Sequence, residues 1–332
     1  GQLALAGATS NEAGLIAAGL ATALELAGDL GGLDQVDLWL EETFERGASV
    51  GLLGAVAVGA GLVLGIVLVG WLLSVVVTVI RYHGFTLTRA GDELKREYGL
   101  FSRHHSTVPL ERVQAVRIEE SLLRRLLGLA ALKIETAGGA VQQQGQARGG
   151  EAEAFVPIAR RRDVGPLLRE VFPDARLEGV AMHSVSPIAR RRSFLRLAVP
   201  VAVAAVLLGL LVGPRWYALL LLWLPSWLYA RADYRARAWA RPPSYVLVRG
   251  GVFTRVSWVV PERKIQTLHV GESPFQRRLD LATLMVDTAA GARAARVADL
   301  ERGTARPLLL SLARDAEAAR RTSIRPAPPA PG

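Results

Sequence analysis

Residues 99–139 read GLFSRHHSTVPLERVQAVRIEESLLRRLLGLAALKIETAGG, and residues 251–291 read GVFTRVSWVVPERKIQTLHVGESPFQRRLDLATLMVDTAAG. The two stretches align without a gap at a constant offset of 152 residues. The glycine, proline and glutamine that recur give the repeat positions Gly99, Pro109, Gln114, Gly251, Pro261 and Gln266. Self-similarity at a fixed offset is the mark of a duplicated domain. The sequence therefore predicts two copies of one domain, which the rest of the chain anchors or connects.

Each copy has the pattern of a small β domain. Apolar and polar residues alternate over 85–88, 93–98 and 132–136, and turn residues separate these runs. Ser121 precedes the leucine-rich run 122–129 and is expected to cap a short helix, and Ser273 is expected to do the same in the second copy. Several short strands followed by a closing helix, here expected at 158–172, predict a small antiparallel barrel capped at its end.

The composition predicts membrane segments. The chain is 51% hydrophobic and 21% charged, with a mean hydropathy of +0.26. Residues 49–80 contain no charge, which predicts one tilted transmembrane helix. Two apolar runs within 194–232 flank a Gly-Pro turn and predict a transmembrane hairpin. The apolar run 12–27 is a short span or an interfacial helix, and the acidic residues 28–47 form an outer loop.

These patterns divide the chain into segments. The expected segments are a membrane segment at 1–81, a first domain at 82–173, a basic linker at 174–193, the hairpin at 194–232, a second domain at 233–321 and a disordered tail at 322–332. Arginines cluster beside both domains, so the positive-inside rule predicts a multi-pass protein of the inner or plasma membrane with both domains in the cytoplasm. The chain begins with Gly rather than Met, and we expect part of the protein to lie upstream.

The repeated motifs resemble the bacterial pleckstrin-homology (PH) membrane family of the YdbS/YdbT type. The motifs that carry the resemblance are Gly-(Leu/Val)-Phe-x-Arg, Val-Pro-x-x-(Arg/Lys)-(Val/Ile)-Gln, Glu-Ser and (Glu/Asp)-Thr-Ala-x-Gly. The resemblance covers residues 10–321. It implies an α+β membrane protein with two PH-like β-barrels, each with a C-terminal helix, plus transmembrane α-helices. It also implies a role at the cell envelope, in its maintenance or in resistance to stress or bacteriocins. The second copy departs from the pattern at Pro242-Pro243, so its first strand is expected to be shortened or displaced to about 236–240.

No catalytic constellation emerges from the sequence. The chain has no cysteine, and its five histidines form no metal-binding pair. Ser102, Ser106, Ser121 and Ser273 lie in no Gly-x-Ser-x-Gly motif, and the glycine-rich stretch 138–150 lacks the order of a phosphate-binding loop. The sequence therefore argues against an enzyme, a cofactor or a metal site. Gln114 and Gln266 either bind a ligand or, as strand amides, satisfy neighbouring backbone groups.

Basic residues are the candidate binding residues. The formal net charge is +10, which favours anionic surroundings. The candidates for contact with lipid headgroups or a partner are Lys95, Arg96, Arg103, Arg124, Arg125, Arg255, Arg277 and Arg278. A basic residue beside an acidic leaflet contributes roughly 1 kcal/mol, whereas an isolated surface arginine is usually only solvated.

The function expected from the sequence is docking. We expect a non-catalytic polytopic membrane protein whose cytoplasmic domains bind anionic lipid or a protein, either a membrane or cytoplasmic partner or a family paralogue. The alternative is a component of a transport or export system, although the apolar runs lack the charged mid-span residues typical of substrate paths. Nucleic acid is an unsuitable partner because the aromatic residues, 6% of the chain, are not interleaved with the basic ones.

Overall fold

The computed structural model describes residues 82–100, 103–137, 154–176, 179–212, 220–290 and 295–324, and scattered helical positions between 54 and 80. The described residues form two compact units. The smaller contains those up to Thr88 together with Lys95–Thr107, and the larger contains Arg89–Leu94 and those from Val108 onwards. The predictions for 12–27 and 28–47, and most of that for 49–80, lie outside the described residues.

The first copy begins with a sheet of three strands in sequence order, β1 (Thr86–Ala90), β2 (Glu93–Tyr98) and β3 (His104–Pro109). It continues with β4 (Val113–Ser121), the short helix α1 (Leu122–Leu126), β5 (Leu129–Thr136), β6 (Ala154–Arg160) and helix α2 (Val164–Val171). Strand β5 pairs antiparallel with β4 on one side and with β6 on the other. A strand β7 (His183–Ser184) and helices α3 (Ile188–Val212) and α4 (Trp223–Ala236) lead to the second copy.

The second copy repeats this order of elements. It contains β8 (Ala238–Ala240), β9 (Tyr245–Gly250), β10 (Thr254–Pro261), β11 (Ile265–Gly271), α5 (Pro274–Arg278), β12 (Leu281–Thr288), β13 (Ala295–Glu301) and α6 (Arg302–Ile324). Both ends of β9, α5 and β12 lie 152 residues after those of β2, α1 and β5. The duplication predicted from the sequence is confirmed, as is the short first strand β8.

The repeated glycine and serine positions have the same local role in both copies. Gly99 and Gly251 adopt positive φ angles of 117° and 93°, a region that glycine enters without strain. A Cβ atom on Gly251 would collide with the carbonyl oxygen of Thr254. The hydroxyl oxygens of Ser121 and Ser273 accept the backbone N–H groups at the third residue of α1 and α5, which confirms the predicted caps.

One continuous sheet joins the two copies. Its strand order is β6-β5-β4-β10-β9-β8-β7, so β10 of the second copy pairs with β4 of the first. The pairing is antiparallel and sets Arg255 opposite Glu120 and Val259 opposite Val116. Two separate barrels were expected from the sequence, and this shared ladder was not.

The second copy packs its two sheets and its last helix around one core. Val246 and Val260 come from the shared sheet, Leu284 comes from the β11-β12-β13 sheet, and Leu308 and Leu312 come from α6. All five side chains are buried, so α6 closes the domain as the sequence predicted.

The expected transmembrane helices are the main correction. Among the described residues, no helix is long and apolar enough to cross a membrane. Helix α4 has 14 residues, whereas a span needs about 20. Helix α3 carries Arg190, Arg191, Arg192 and Arg196 in its first part, which leaves residues 197–212 as its uncharged part. The prediction of a hairpin at 194–232 is therefore wrong for these helices.

Smaller boundaries also differ. Strand β6 continues to Arg160 because Leu129 and Ala130 of β5 extend the ladder, so the closing helix starts at Val164 rather than at 158. The segment expected to be a linker contributes β7 and the start of α3. Helix α6 continues to Ile324, and the rest of the expected tail lies outside the described residues.

A buried carboxylate fixes the helix pair to the second copy. Asp299 of β13 is fully buried and accepts hydrogen bonds from Arg192 of α3, from Arg237 after α4 and from Gln276 of α5. Arg237 Nη1 lies 2.6 Å from Asp299 Oδ2, and Gln276 Nε2 lies 2.9 Å from Oδ1. Arg237 also pairs with Asp233, so two arginines and two carboxylates balance each other.

Gly251→Ala is expected to destabilise the protein by about 2 kcal/mol, because a positive φ angle strains a residue with a Cβ atom and this Cβ meets Thr254. Thermal unfolding followed by circular dichroism measures the effect. Gly250→Ala is the matched control, since nothing lies within 4 Å of a Cβ there. Equal melting temperatures for the two variants would contradict the assignment.

Asp299→Asn is expected to lower the free energy of unfolding by about 3–5 kcal/mol, because it removes a buried carboxylate that pairs with two half-buried arginines, and Arg192 then has no carboxylate while Arg237 has Asp233 alone. Asparagine tolerates the positive φ of 61° at this position, so the change isolates the charge. Asp280→Asn is the control, since Asp280 also has a positive φ, 53°, but a side chain that is 77% exposed. Denaturant unfolding that shows the same loss for both would refute the role of the buried charge.

Candidate functional site

The junction between the copies presents one face with a cluster of charges. Residues directly opposite in an antiparallel sheet, and residues two apart along a strand, lie on the same face. Arg255 is opposite Glu120, while Ser257 is opposite both Ile118 of β4 and Arg249 of β9. All five residues therefore share one face of the joined sheet, which neither copy forms alone.

Two further arginines come to this face from helical segments of the first copy. Arg125 of α1 donates through Nη1 to the carbonyl oxygen of Val252, at 3.0 Å, in the turn between β9 and β10. Arg161, at the start of the turn before α2, lies 3.7 Å from the Glu120 carboxylate, and Arg255 lies 3.9 Å from it. We call the set Glu120, Arg125, Arg161, Arg249 and Arg255 the junction cluster.

The positive charge of the junction cluster is not balanced within it. Burial lowers the pKa of Arg255, and the charges of Arg125 and Arg249 lower it further, while Glu120 opposes the shift. The Nε atoms of Arg249 and Arg255 are buried, and neither has a hydrogen-bond partner among the described residues. A buried guanidinium N–H without an acceptor is costly, and an oxyanion would satisfy it. The cluster thus has the charge and the free donors of an anion site.

A cavity of about 250 Å³ opens between α2 and this face. Its polar lining consists of Glu120, Arg161, Arg169 and Ser257, and its apolar lining includes Ile118 and Leu168. Drug-sized ligands occupy pockets of about 300–1,000 Å³, so this cavity suits a smaller group such as a phosphate ester.

Comparison with known proteins places the fold in a family. A family model described as Bacterial PH domain matches twice, at residues 46–171 and 193–316, which together cover most of the chain. The chain belongs to the bacterial PH domain family. The family predicted from the repeated motifs is confirmed.

This bacterial PH protein is similar to a protein of Bacillus subtilis named UPF0699 transmembrane protein YdbT. The two are 24% identical over 285 residues, a match that covers 85% of this chain and 55% of that protein. The chain thus spans about half the length of this relative. No solved structure gives a significant match.

The structure distributes the predicted basic residues over several surfaces. Arg125 and Arg255 come together in the junction cluster, although they occupy different positions of the repeat. Arg277 and Arg278 are exposed on α5, whereas Arg124 on α1 is buried. In the first sheet, Lys95 and Arg103 are exposed and Arg96 is buried.

Sequence reasoning missed Arg161 and Arg249 as site residues. Arg249 corresponds to Glu97, so the repeat gives no signal for that position. Arg161 belongs to the run 160–162, which suggested only a membrane orientation. The arginines of the cluster are far apart in the chain. They can be recognised as one group only when the pairing of β4 with β10 is known.

The two repeated glutamines have different surroundings. Gln114 is buried and donates through Nε2 to the backbone carbonyl of Arg112 at 3.2 Å, which supports the strand-amide interpretation. Gln266, its counterpart on β11, is exposed. Within the described part of the chain, no group of three His, Asp or Glu side chains is placed to hold a metal ion.

Apolar side chains surround the cluster on its α1 side. Leu122, Leu123 and Leu126 of α1 are exposed, and Leu126 is 83% exposed. Phe253, next to the carbonyl that Arg125 contacts, is 62% exposed. Exposed apolar side chains beside arginines are typical of a surface that meets a membrane interface.

Arg255→Gln is expected to raise the free energy of unfolding by about 0.5–1 kcal/mol in buffer without multivalent anions, because it removes one of several clustered positive charges. Chemical denaturation measures the change. Arg161→Gln removes the same charge from an exposed side chain and should stay within about 0.5 kcal/mol of the parent. A clear loss of stability in Arg255→Gln would mean that the ion pair with Glu120 outweighs the repulsion.

Proposed function

We propose that this bacterial PH protein is a non-catalytic docking protein that works at a membrane surface and binds an anionic lipid headgroup at the junction cluster. The observation that carries the proposal is the pair of buried Nε atoms of Arg249 and Arg255, which have no hydrogen-bond partner in the part of the chain that the structure describes. They lie on the face of the junction cluster, where four arginines accompany one glutamate and two of the four, Arg161 and Arg255, lie within 4 Å of its carboxylate.

The chemistry of the cluster supports binding rather than catalysis. A guanidinium stays protonated throughout the physiological range, so it donates hydrogen bonds but does not act as a general base. Ser257 contributes a hydroxyl to the cavity lining, and among the described residues neither a histidine nor a second carboxylate lines the cavity with it. Planar guanidinium groups recognise phosphate oxygens through paired hydrogen bonds.

Three observations favour a lipid over a soluble anion. The exposed leucines of α1 and Phe253 lie beside the arginines, as expected for an interfacial surface. The sequence is apolar for a protein of this size. The Bacillus subtilis relative is named a transmembrane protein. Envelope maintenance, or resistance to agents that attack the envelope, would then be the physiological setting.

The test compares the full chain with Arg249→Gln/Arg255→Gln on mixed phosphatidylglycerol–phosphatidylcholine vesicles and on pure phosphatidylcholine vesicles. Each lost charge near an acidic surface costs about 1 kcal/mol, or about fivefold in affinity, so we expect roughly 25-fold weaker binding to the mixed vesicles. Arg306→Gln/Arg314→Gln on the exposed side of α6 is the charge-matched control.

Two outcomes would overturn the proposal. Equal losses in the test and control variants would reduce the effect to net charge. An unchanged affinity of Arg249→Gln/Arg255→Gln for the mixed vesicles would leave a protein partner as the occupant of the site. A titration with inorganic phosphate separates a free anion from a lipid. Binding of a free anion should depend on the arginines alone, whereas binding of a lipid should also depend on the exposed side chains of α1 and Phe253.

A further inference from the structure

The strand that joins the two copies has an equivalent in the second copy that is left at an edge. Strand β4 lies between β5 and β10, whereas β11, its counterpart, ends the sheet β11-β12-β13. Gln114, Ala115 and Arg117 are buried in β4. Their counterparts Gln266, Thr267 and His269 are exposed in β11.

The geometry of β11 matches that of β4 residue by residue. Val113 and Ala115 flank a register shift against β5, and Ile265 and Thr267 flank the same shift against β12. From that point on, each pairing of β11 with β12 is the β4–β5 pairing moved by 152 residues. The edge that accepts β10 in the first copy is thus present in the same form in the second.

The complementary strand is also at an edge. Strand β3 is the first-copy counterpart of β10 and ends the sheet β1-β2-β3. His104, His105 and Thr107 of β3 are exposed. An edge strand presents unpaired backbone N–H and carbonyl groups, which makes it a template for another strand.

We propose that β3 of one molecule pairs with β11 of a second molecule of this chain, in the register that β10 adopts on β4. In the observed register Trp258 is opposite Arg117 and Ser257 is opposite Ile118. Replacing each residue by its counterpart in the other repeat sets Ser106 opposite His269, and His105 opposite Val270. The partner is a second molecule of this chain, because β3 and β11 are the counterparts of β10 and β4, and those two strands already pair with each other within the chain. The proposal concerns self-association and goes beyond lipid binding.

Charge complementarity supports this register. In the observed junction Glu120 lies near Arg161 of its own copy and Arg255 of the other. In the second copy Glu272 has the equivalent intracopy partner, Arg302, at 2.8 Å. The inferred register sets Arg103 opposite Glu272, in the place that Arg255 takes opposite Glu120. Arg103 is exposed and available for that contact.

The contact is heterologous, since the two strands are different surfaces of the molecule. Each molecule offers one β3 edge and one β11 edge. Association therefore closes into a ring of two or more chains, or continues as a chain of molecules.

Cysteine cross-linking tests the register directly, because the natural chain contains no cysteine. A tagged Ser106→Cys chain is mixed with an untagged His269→Cys chain under mild oxidation. Opposite residues of an antiparallel pair have Cα atoms about 4.5–5.5 Å apart, within the range of a disulfide. We expect a cross-linked heterodimer, which can form only between molecules.

Arg296→Cys replaces His269→Cys in the control, since Arg296 is exposed on β13 at the other edge of the same sheet. Equal cross-linking of Ser106→Cys to either partner would reflect random collision and overturn the proposal. A double variant Ser106→Cys/His269→Cys that cross-links only within one chain would show that the molecule's own β3 covers the edge, which also overturns it. If Ser106→Cys cross-links neither to His269→Cys of another molecule nor to His269→Cys of its own chain, the proposal is also overturned.

Sedimentation of Arg103→Glu gives an independent measurement. Replacing an attractive cross-strand pair by a repulsive one should weaken self-association by about three- to tenfold. Lys95→Glu makes the same charge change at an exposed position of β2, away from the edge, and should leave association unchanged. An equal effect of both changes would contradict the proposed contact. Neither readout involves lipid, so failure here and failure of lipid binding are distinguishable.

Discussion

The antiparallel ladder between β4 and β10 is the interaction on which the rest of the molecule depends. Backbone hydrogen bonds between the two edges turn separate sheets into one sheet of seven strands. This pairing aligns Glu120 with Arg255 and brings the turn before β10 within reach of Arg125. Because the ladder fixes register to a single residue, a slip by one would move every one of these side chains to the opposite face.

The Asp299 contact and the junction cluster are groups of charges that differ in their balance. At the Asp299 contact, two arginines meet two carboxylates, and each carboxylate oxygen has a donor. The junction cluster holds four arginines and one carboxylate, Glu120, and two buried Nε atoms have no acceptor among the described residues. The first arrangement holds helices α3 and α4 against β13. The second retains unsatisfied donors, which an oxyanion can occupy, and this asymmetry supports a ligand site at the junction.

Duplication has preserved geometry more closely than surface chemistry. Strands β4 and β11 share their register shift, yet Arg117 of β4 lies over the ring of Trp258 at 5.6 Å and pairs with Glu119, whereas its counterpart is His269, which lies 3.7 Å from Asp287. The covered strand has a buried ion-pair network, and the uncovered one has exposed polar groups. The difference is expected if the edge of β4 always pairs with β10 of its own chain, while the edge of β11 pairs with a strand of another molecule that can dissociate.

The sequence by itself determined the duplication, the caps at Ser121 and Ser273 and the shortened strand at Pro242-Pro243, because these follow from the repeat, local periodicity and backbone preference. The resemblance of its repeated motifs also indicated the family. The sequence also placed Arg125 and Arg255 among the candidate residues. It did not reveal the shared sheet, the partnership of those two arginines with Arg161 and Arg249, or the absence of membrane-length helices among the described residues. Which edge pairs with which is decided by contacts between residues far apart in the chain, and an alternating strand pattern looks the same whether its edge is paired or open. Only the tertiary structure could therefore bring one arginine of each copy to the same glutamate.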